Sequence, residues 1–216
     1  MKRNVSLLLG LVLATFGLTF SLAAQSLAPV KLPPPQMSGG RPLMQVLKDR
    51  KSIREFGPGT LSQQTLSNLL WAAFGINRPD GHRTAPSAMN WQEVSIYVAT
   101  AEGVYVYDAK NNALSPVVAG DFRAATGTQS FVKDAAVNLI YVSDLSKTGR
   151  AAPSDRDLFT AADVGFIAQN VYLYCASEGL ATVVRGSVDK PALAKTLDLQ
   201  PHQKIILAQS VGFPQK

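Results

Sequence analysis

Cysteine and histidine are scarce in this chain, and their scarcity excludes several classes of protein. The 216 residues include one cysteine, Cys175, and two histidines, His82 and His202. A single cysteine excludes an intrachain disulfide scaffold and a zinc–thiolate site, and two histidines cannot form a three-histidine zinc centre. We therefore expect no metal, and we expect Cys175 to be a small core residue.

Charge is also sparse. Charged residues make up 17% of the chain against 46% hydrophobic residues, which excludes a disordered polypeptide and allows a full core. The formal net charge is +6, and this excess is too mild to indicate a nucleic-acid partner. The sequence has no phosphate-binding P-loop, no three-glycine dinucleotide motif and no His-Glu-x-x-His motif.

The first residues have the pattern of an export signal. Lys2 and Arg3 precede an apolar run over 5–22, and two alanines follow it. We expect residues 1–24 to be a signal peptide and the protein to be periplasmic or extracellular. The alternative is an uncleaved membrane anchor, since about 18 apolar residues can almost span a bilayer.

The rest of the chain divides into a linker and one domain. Residues 25–42 hold five prolines and two glycines, a density that predicts a linker without helix or central strand. Residues 43–216 have a globular pattern without an obvious break or internal repeat. We therefore expect a single domain over 43–216.

Over this domain, segments whose apolar residues have the spacing of a helix alternate with segments that have the spacing of a strand. Apolar spacing at three and four residues predicts helices, and alternation or short apolar runs predict strands. The strands over 94–100 and 103–108 form a predicted hairpin, which favours an α+β fold over a doubly wound parallel sheet. The predicted helices span 43–51, 62–74, 119–131, 157–178 and 191–197, and the other predicted strands span 135–142, 181–185 and 204–211.

A basic segment after the first predicted helix is a candidate binding site. Arg50, Ser52 and Arg54 alternate, with Ile53 facing the other way, so an extended segment points three donors at one place. Two guanidiniums and a hydroxyl suit a phosphate group. Lys51 belongs to the same candidate site. The alternative is a solvated basic turn.

A loop over 86–92 is the second candidate. The amides of Asn90 and Gln92 suit the edge of a planar heteroaromatic ring with alternating carbonyl and N–H groups. Trp91 either stacks on such a ring or belongs to the core. The candidate binding residues in this loop are Pro86, Ser87, Ala88, Met89 and Asn90.

These blocks resemble the FMN-dependent nitroreductase superfamily. The similarity runs from about residue 43 to residue 214, nearly the whole predicted domain. Two stretches, 103–108 and 127–132, are most similar to the branch that includes the azoline dehydrogenases of peptide maturation. The matching blocks, in chain order, are Arg50 to Phe56, Pro86 to Gln92, Gln169-Asn170, Gly179-Leu180, Gly186 and the Val-Gly-x-Pro ending at 211–214.

The resemblance implies an α+β fold, with a central, mainly antiparallel sheet flanked by helices. It also implies an obligate homodimer with one FMN in each of two interface sites. The implied function is an FMN-dependent oxidoreductase with a ping-pong cycle and electron-poor acceptors such as nitroaromatics or quinones. The flavin carries the hydride chemistry in such enzymes, so no catalytic side chain is expected. The alternatives are an azoline-type peptide dehydrogenase and a non-catalytic flavin- or ligand-binding module.

The resemblance assigns roles to the candidate residues. Arg50, Ser52 and Arg54 match the family's phosphate and ribityl contacts. The loop over 86–90 matches the loop that reaches the flavin from the partner subunit. Gln92 matches an amide of that loop, and we expect its role to be structural.

The chain also departs from the family pattern. Arg185 and Gly186 align with the segment beside the flavin N5 edge, and Arg185 stands where many members carry an acidic residue. This predicts a more electropositive flavin edge. Glu93-Val94 replaces the usual Pro-Trp, and the family's basic C-terminal phosphate contacts are absent unless Lys216 serves. No adjacent Lys-Tyr pair occurs, which counts against azoline oxidation.

Overall fold

The described part of the chain folds around one eight-stranded sheet. The structure is a computed structural model that describes residues 27–216, so the predicted signal peptide lies outside the described residues. The helices are α1 (Leu43–Asp49), α2 (Gln63–Phe74), α3 (Pro153–Glu178) and α4 (Lys190–Thr196). The strands are β1 (Val30–Lys31), β2 (Phe56–Gly57), β3 (Val94–Ala99), β4 (Gly103–Asp108), β5 (Ala113–Ala119), β6 (Val137–Asp144), β7 (Ala181–Arg185) and β8 (Gln203–Pro214).

Each strand pairing in the sheet is antiparallel. The strand order is β1-β5-β4-β3-β6-β8-β2, and β7 also pairs with β8. This arrangement confirms the predicted α+β fold with a mainly antiparallel sheet. Within residues 27–216, no helix is both long enough and apolar enough to cross a membrane.

The sheet separates two apolar layers. Alternate side chains of a strand face opposite sides, so Ile96 and Val98 pack against α2 and α3, whereas Tyr97 and Ala99 pack toward α4. Burial of apolar surface contributes roughly 25 cal/mol per Å², and the layer under α2 and α3 is the larger one. Helix α3, whose side chains hold the candidate site residues, packs on this larger layer.

Local capping explains where the long helices begin and end. The Ser62 hydroxyl accepts the Thr65 N–H at 3.0 Å and starts α2, close to the predicted bounds of 62–74. Gly179 follows α3 in the left-handed region with φ of 71°, so the helix ends at Glu178, the predicted end. Helix α3 begins at Pro153, before the predicted start at 157, because proline suits the first helical position.

The helix predicted over 119–131 is wrong. Only its first residue belongs to β5 (Ala113–Ala119), and two short 3₁₀ turns at Arg123–Thr126 and Ser130–Lys133 occupy the rest. Gly120, with φ of 111°, follows the strand, and the extended Gly127 ends the first turn, so no continuous helix forms.

The described part of the Pro/Gly-rich segment lies against the domain. Strand β1 pairs with β5, and the adjacent Leu32 is buried in the main core. The carbonyl of Pro33 accepts the Ser67 hydroxyl at 2.6 Å. The described part of the predicted linker is therefore docked on the domain, and β1 is a two-residue strand at the edge of the sheet.

Candidate functional site

The basic segment over 50–54 leaves α1 and runs beside β7. The Ile53 N–H donates to the Thr182 carbonyl at 3.0 Å, and the Ile53 side chain packs on an apolar cluster. Because an extended chain alternates its side chains, Ser52 and Arg54 lie on the exposed side. The structure thus has the alternation that the sequence predicts.

A tyrosine of α3 that the sequence did not single out holds this segment. The Tyr172 hydroxyl lies 2.7 Å from the Ser52 hydroxyl and accepts the Val184 N–H at 3.0 Å. A hydroxyl has one proton and two acceptor lone pairs, so either oxygen can donate the bond between Tyr172 and Ser52. When Tyr172 donates it, the Ser52 proton is available to a ligand. The Arg50 guanidinium lies 5.2 Å from the centre of the Tyr172 ring, within cation–π range.

The cations of this segment have no protein acceptor. Within residues 27–216, Arg50, Lys51 and Arg54 make neither an ion pair nor a side-chain hydrogen bond. Arg41, by contrast, pairs with Asp49. Unpaired cations on one exposed segment attract an anion, and guanidiniums suit phosphate oxygens in particular.

A cavity of about 140 Å³ opens beside the segment, and Lys51, Ile53, Tyr172 and Thr182 are among its lining residues. Asp49 also lines this cavity, whereas Arg50, Ser52 and Arg54 do not. Sites for drug-sized ligands usually have volumes of about 300–1,000 Å³. The cavity in one chain therefore suits part of a nucleotide rather than the whole.

Strand β8 brings the end of the chain to the same place. The Gln215 N–H donates to the Glu55 carbonyl at 3.3 Å, and Pro214 pairs with Phe56. Lys216 follows directly and is exposed. It is therefore a further cation near the candidate phosphate site.

The loop over 86–92 has an unusual backbone. Met89, Asn90 and Gln92 have φ of 52°, 54° and 47°, in the left-handed region that residues other than glycine seldom adopt. Asp163 of α3 holds the loop, because its two carboxyl oxygens accept the Ala88 N–H at 3.2 and 2.9 Å. Asp163 is a site residue that no local sequence pattern marks.

The other polar side chains of this loop are engaged within the protein. Gln92 accepts from the Arg83 guanidinium at 2.9 Å and donates to the Gly81 carbonyl at 3.1 Å. Gln92 thus has the structural role that we expect. Trp91 is half-buried and meets Phe159 of α3 edge to face, with ring centres 6.1 Å apart.

The loop over 86–92 and the basic segment over 50–54 contact α3 at different positions along the helix. Asp163 holds the loop, and Tyr172 holds the basic segment nine residues later, which corresponds to about 13 Å of helix. The structure therefore does not bring Pro86, Met89 and Asn90 onto the same ligand group as Arg50 within one chain. Met89 and Asn90 are exposed.

The Arg185 side chain points into the protein. Its guanidinium is 5% exposed and donates to the Thr126 carbonyl at 2.7 Å, to Asn138 at 2.9 Å and to Ser210 at 3.2 Å. Burial lowers the pKa of Arg185 to about 10. Gly127 leaves room for this side chain, since a Cβ there would overlap Arg185.

This direction does not support the expectation that the Arg185 charge makes a flavin edge electropositive. The Val184 side chain packs against the larger apolar layer beside α3, and Arg185, the next residue along β7, faces the opposite side. The guanidinium therefore lies on the other side of the strand from α3. The backbone of Arg185 and of the exposed Gly186 lies at the end of β7.

The scarce cysteine belongs to the core. Cys175 is fully buried, and burial raises the pKa of its thiol far above the ordinary value, which confirms the predicted core role. Within the described residues, no three His, Cys, Asp or Glu side chains gather as they would around a metal ion.

Comparison with known proteins decides the family. A model of the nitroreductase family matches residues 47–213, which extend from α1 to β8. The chain belongs to the nitroreductase family. Membership indicates an oxidoreductase, and it agrees with the fold that the resemblance implies.

Individual relatives agree with this assignment. A protein of Methanocaldococcus jannaschii that carries a provisional nitroreductase name is 29% identical over 175 residues, 76% of this chain and 88% of that protein. A provisionally named nitroreductase of Ralstonia eutropha JMP134 has a crystal structure with a TM-score of 0.83 at 41% identity, covering 87% of this chain and 90% of that one. The NADPH:FMN oxidoreductase of Vibrio harveyi, solved with NAD+, shares the fold with a TM-score of 0.61 at 21% identity, covering 81% and 69%.

Proposed function

We propose that this nitroreductase-family protein is an FMN-dependent oxidoreductase. The observation that carries the proposal is the group of unpaired cations, Arg50, Lys51 and Arg54, beside the hydroxyl pair of Ser52 and Tyr172. FMN ends in a phosphate, and guanidiniums make strong, charge-assisted hydrogen bonds to phosphate oxygens. The donor set of the segment therefore fits the cofactor that the family suggests.

The chain's own residues would bind and orient the cofactor. Arg50 and Arg54 would bind the phosphate, and Ser52 would donate a hydrogen bond to it while accepting one from Tyr172. The backbone at Gly186 would flank the ring at the end of β7. Bound FMN would supply hydride transfer from a donor to a flat, electron-poor acceptor such as a nitroaromatic or a quinone, in a ping-pong cycle. No side chain is assigned as a general acid or base.

The exposed apolar side chains of α1 and α3 support a homodimer. Met44 is 76% exposed and Leu158 is 65% exposed, and exposed apolar patches usually mark an interface. The small cavity and the distance between the two blocks also leave room for a second chain to complete each site. Sedimentation should find a dimer that Met44→Asp and Leu158→Asp weaken. A monomer that binds FMN at full affinity would contradict this proposal.

Export is the next part of the proposal. Residues 1–24 support it by their charge and apolar run. Mass spectrometry of the secreted or periplasmic fraction should find a chain that begins at Gln25, whereas full-length protein in the membrane would support the anchor. NAD(P)H is scarce outside the cytoplasm, so we expect a donor other than a nicotinamide.

The first test is an absorbance spectrum of the purified protein before and after addition of FMN. We expect the bands of a bound flavin, and then reduction of a nitroaromatic or a quinone with a supplied donor. A colourless protein that does not bind added FMN would contradict the proposal. FMN bound without turnover would favour the non-catalytic binding module, and oxidation of a thiazoline peptide would favour the azoline-type dehydrogenase.

A further inference from the structure

Two buried carboxyl groups lie beneath the loop over 86–92. Glu93 is fully buried just before β3, and Asp163 on α3 is 2% exposed. Adjacent residues of the loop contact the two carboxyl groups: the Ser87 hydroxyl lies 3.3 Å from Glu93 Oε2, and the Ala88 N–H donates to Asp163 at 2.9 Å. The two carboxyl groups are therefore close neighbours. Buried carboxylates repel each other unless a cation or a proton lies between them.

No cation fills that role. The charged or titratable groups on the elements around the pair are Arg83 before the loop, Asp144 at the end of β6, His202 before β8, and Arg156 and Asp157 near the start of α3. Arg83 donates to Gln92, and His202 lies 3.6 Å from Asp144. Within residues 27–216, neither Glu93 nor Asp163 makes an ion pair. A proton is therefore what can separate the two charges.

The hydrogen bonds indicate which carboxyl group holds the proton. Asp163 accepts the Ala88 N–H with its two oxygens, as an ionised carboxylate does. Ser87 accepts the Gln92 N–H at 2.9 Å, so its hydroxyl proton donates to Glu93 Oε2 at 3.3 Å. Glu93 Oε1 is buried and has no hydrogen-bond partner among the described residues. A proton shared with the neighbouring Asp163 carboxyl group would satisfy this oxygen.

The electrostatics agree with this direction. Burial, and then the nearby Asp163 charge, raise the pKa of Glu93 above its ordinary value. Burial also raises the pKa of Asp163, but the hydrogen bonds that it accepts from Ala88 and Glu93 act against that rise. This balance favours the proton on Glu93 and the negative charge on Asp163.

The loop above the pair needs such support. Left-handed residues other than glycine persist only where the surrounding structure holds them, and Met89, Asn90 and Gln92 are all left-handed. Asp163 and Ser87 hold this backbone directly, through the N–H groups of Ala88 and Gln92. Loss of the shared proton would place two negative charges side by side under the loop.

We propose that Glu93 and Asp163 are a proton-sharing pair of positioning residues that holds the loop over 86–92 in its cofactor-binding conformation. The proposal rests on the proposed function only for the identity of the cofactor. When the pH rises and Glu93 loses its proton, the pair repels, the Ala88 hydrogen bond weakens and the loop relaxes. Cofactor affinity therefore falls as the pH rises.

The same proton determines whether the free energy of unfolding rises or falls with pH. The folded protein binds it more tightly than the unfolded chain, in which Glu93 has an ordinary pKa near 4.5. The free energy of unfolding therefore falls as the pH rises from about that value toward the raised pKa. A glutamine at position 93 donates an N–H to Asp163 without a titrating proton, so this loss should be absent from Glu93→Gln.

The experiment compares wild-type protein, Glu93→Gln, Asp163→Asn and a control, Glu102→Gln, which changes an exposed carboxyl in the β3–β4 turn. The first measurement is hydrogen exchange of the peptide over 86–92 in the protein without cofactor, from pH 5 upward. Ratios between variants at each pH remove the intrinsic pH dependence of exchange. The second is the Kd for FMN by flavin fluorescence, and the phosphate titration of FMN is common to all four proteins.

In wild-type protein and Glu102→Gln, we expect protection of the peptide to fall with pH. We expect the Kd for FMN to rise by up to tenfold per pH unit above the Glu93 titration. In Glu93→Gln, we expect the protection of the peptide and the Kd for FMN to remain, at every pH, at the values that wild-type protein has at low pH. Asp163→Asn should lose the protection and weaken FMN binding by about ten- to a hundredfold, the effect of losing a charge-assisted hydrogen bond.

Parallel pH profiles for wild-type protein and Glu93→Gln would overturn the proposal, and so would unchanged protection in Asp163→Asn. If Glu93→Gln fails to fold, the carboxyl-carbon NMR titration of Glu93 in wild-type protein decides, because an ordinary pKa there would also overturn the proposal. If no protein binds FMN but protection depends on pH only where Glu93 is present, the pair is supported and the cofactor assignment fails.

Discussion

Replacement of Arg50 by alanine tests the proposed phosphate contact most directly. The Arg50 guanidinium is half-buried over the Tyr172 ring, and within residues 27–216 no acceptor binds it. Its charge is therefore available to an anion at a position that packing already restricts. Arg54, two residues later, is exposed and serves as the comparison.

The expected magnitudes differ between these two arginines. A hydrogen bond to a charged group contributes roughly 1.5–3 kcal/mol, so Arg50→Ala should weaken FMN binding about ten- to a hundredfold. Exposed ion pairs contribute about 0.2–1 kcal/mol because solvent and salt screen them. Arg54→Ala should therefore weaken binding by a factor of about two to five.

Fluorescence titration with FMN and with riboflavin provides the assay. Riboflavin lacks the phosphate, so Arg50→Ala should weaken FMN binding and leave riboflavin binding almost unchanged. Lys110→Ala removes an exposed cation from the β4–β5 turn and should change neither Kd. Equal losses for both ligands would indicate general damage to the site. An unchanged FMN affinity would refute the phosphate assignment.

Three other changes have defined outcomes. Gly127→Ala places a Cβ against the Arg185 guanidinium and should cost about 1–3 kcal/mol of stability in a urea titration, and an unchanged midpoint would contradict the buried position of Arg185. Tyr172→Phe leaves the Val184 N–H without its acceptor and should lower the stability by about 1–3 kcal/mol in the same titration, and an unchanged midpoint would refute this expectation. Cys175 should react with a thiol reagent only after denaturation, because burial raises the pKa of its thiol, and rapid reaction of the native protein would contradict its core position.

Much of the fold follows from local sequence patterns. The ends of α2 and α3 at Phe74 and Glu178 agree with the predicted bounds, because helix caps such as Ser62 and Gly179 depend on neighbouring backbone groups alone. The helix predicted over 119–131 is wrong because Gly120 and Gly127 interrupt the segment, which the structure forms as two short 3₁₀ turns after the end of β5. The apolar spacing of these residues does not reveal the interruptions.

The candidate site, too, could be predicted only in part from the sequence. The alternation of Arg50, Ser52 and Arg54 is a property of any extended segment, and it can be predicted without a structure. Tyr172 and Asp163 could not be predicted, because each acts on a residue at least 75 positions away. In the sequence, both residues are only members of one long predicted helix. Their partners are defined by how α3 packs on the rest of the domain.

By itself, the sequence of this protein determined where charge, small residues and turns occur along the chain, and these blocks in order indicate the nitroreductase family. Tertiary structure alone decided the direction of Arg185, which three distant acceptors hold in the interior. It also decided the pairing of Glu93 with Asp163 under the strained loop. The physical reason is that periodicity and capping act within a few residues, whereas the surroundings of a buried charge depend on which distant elements pack around it.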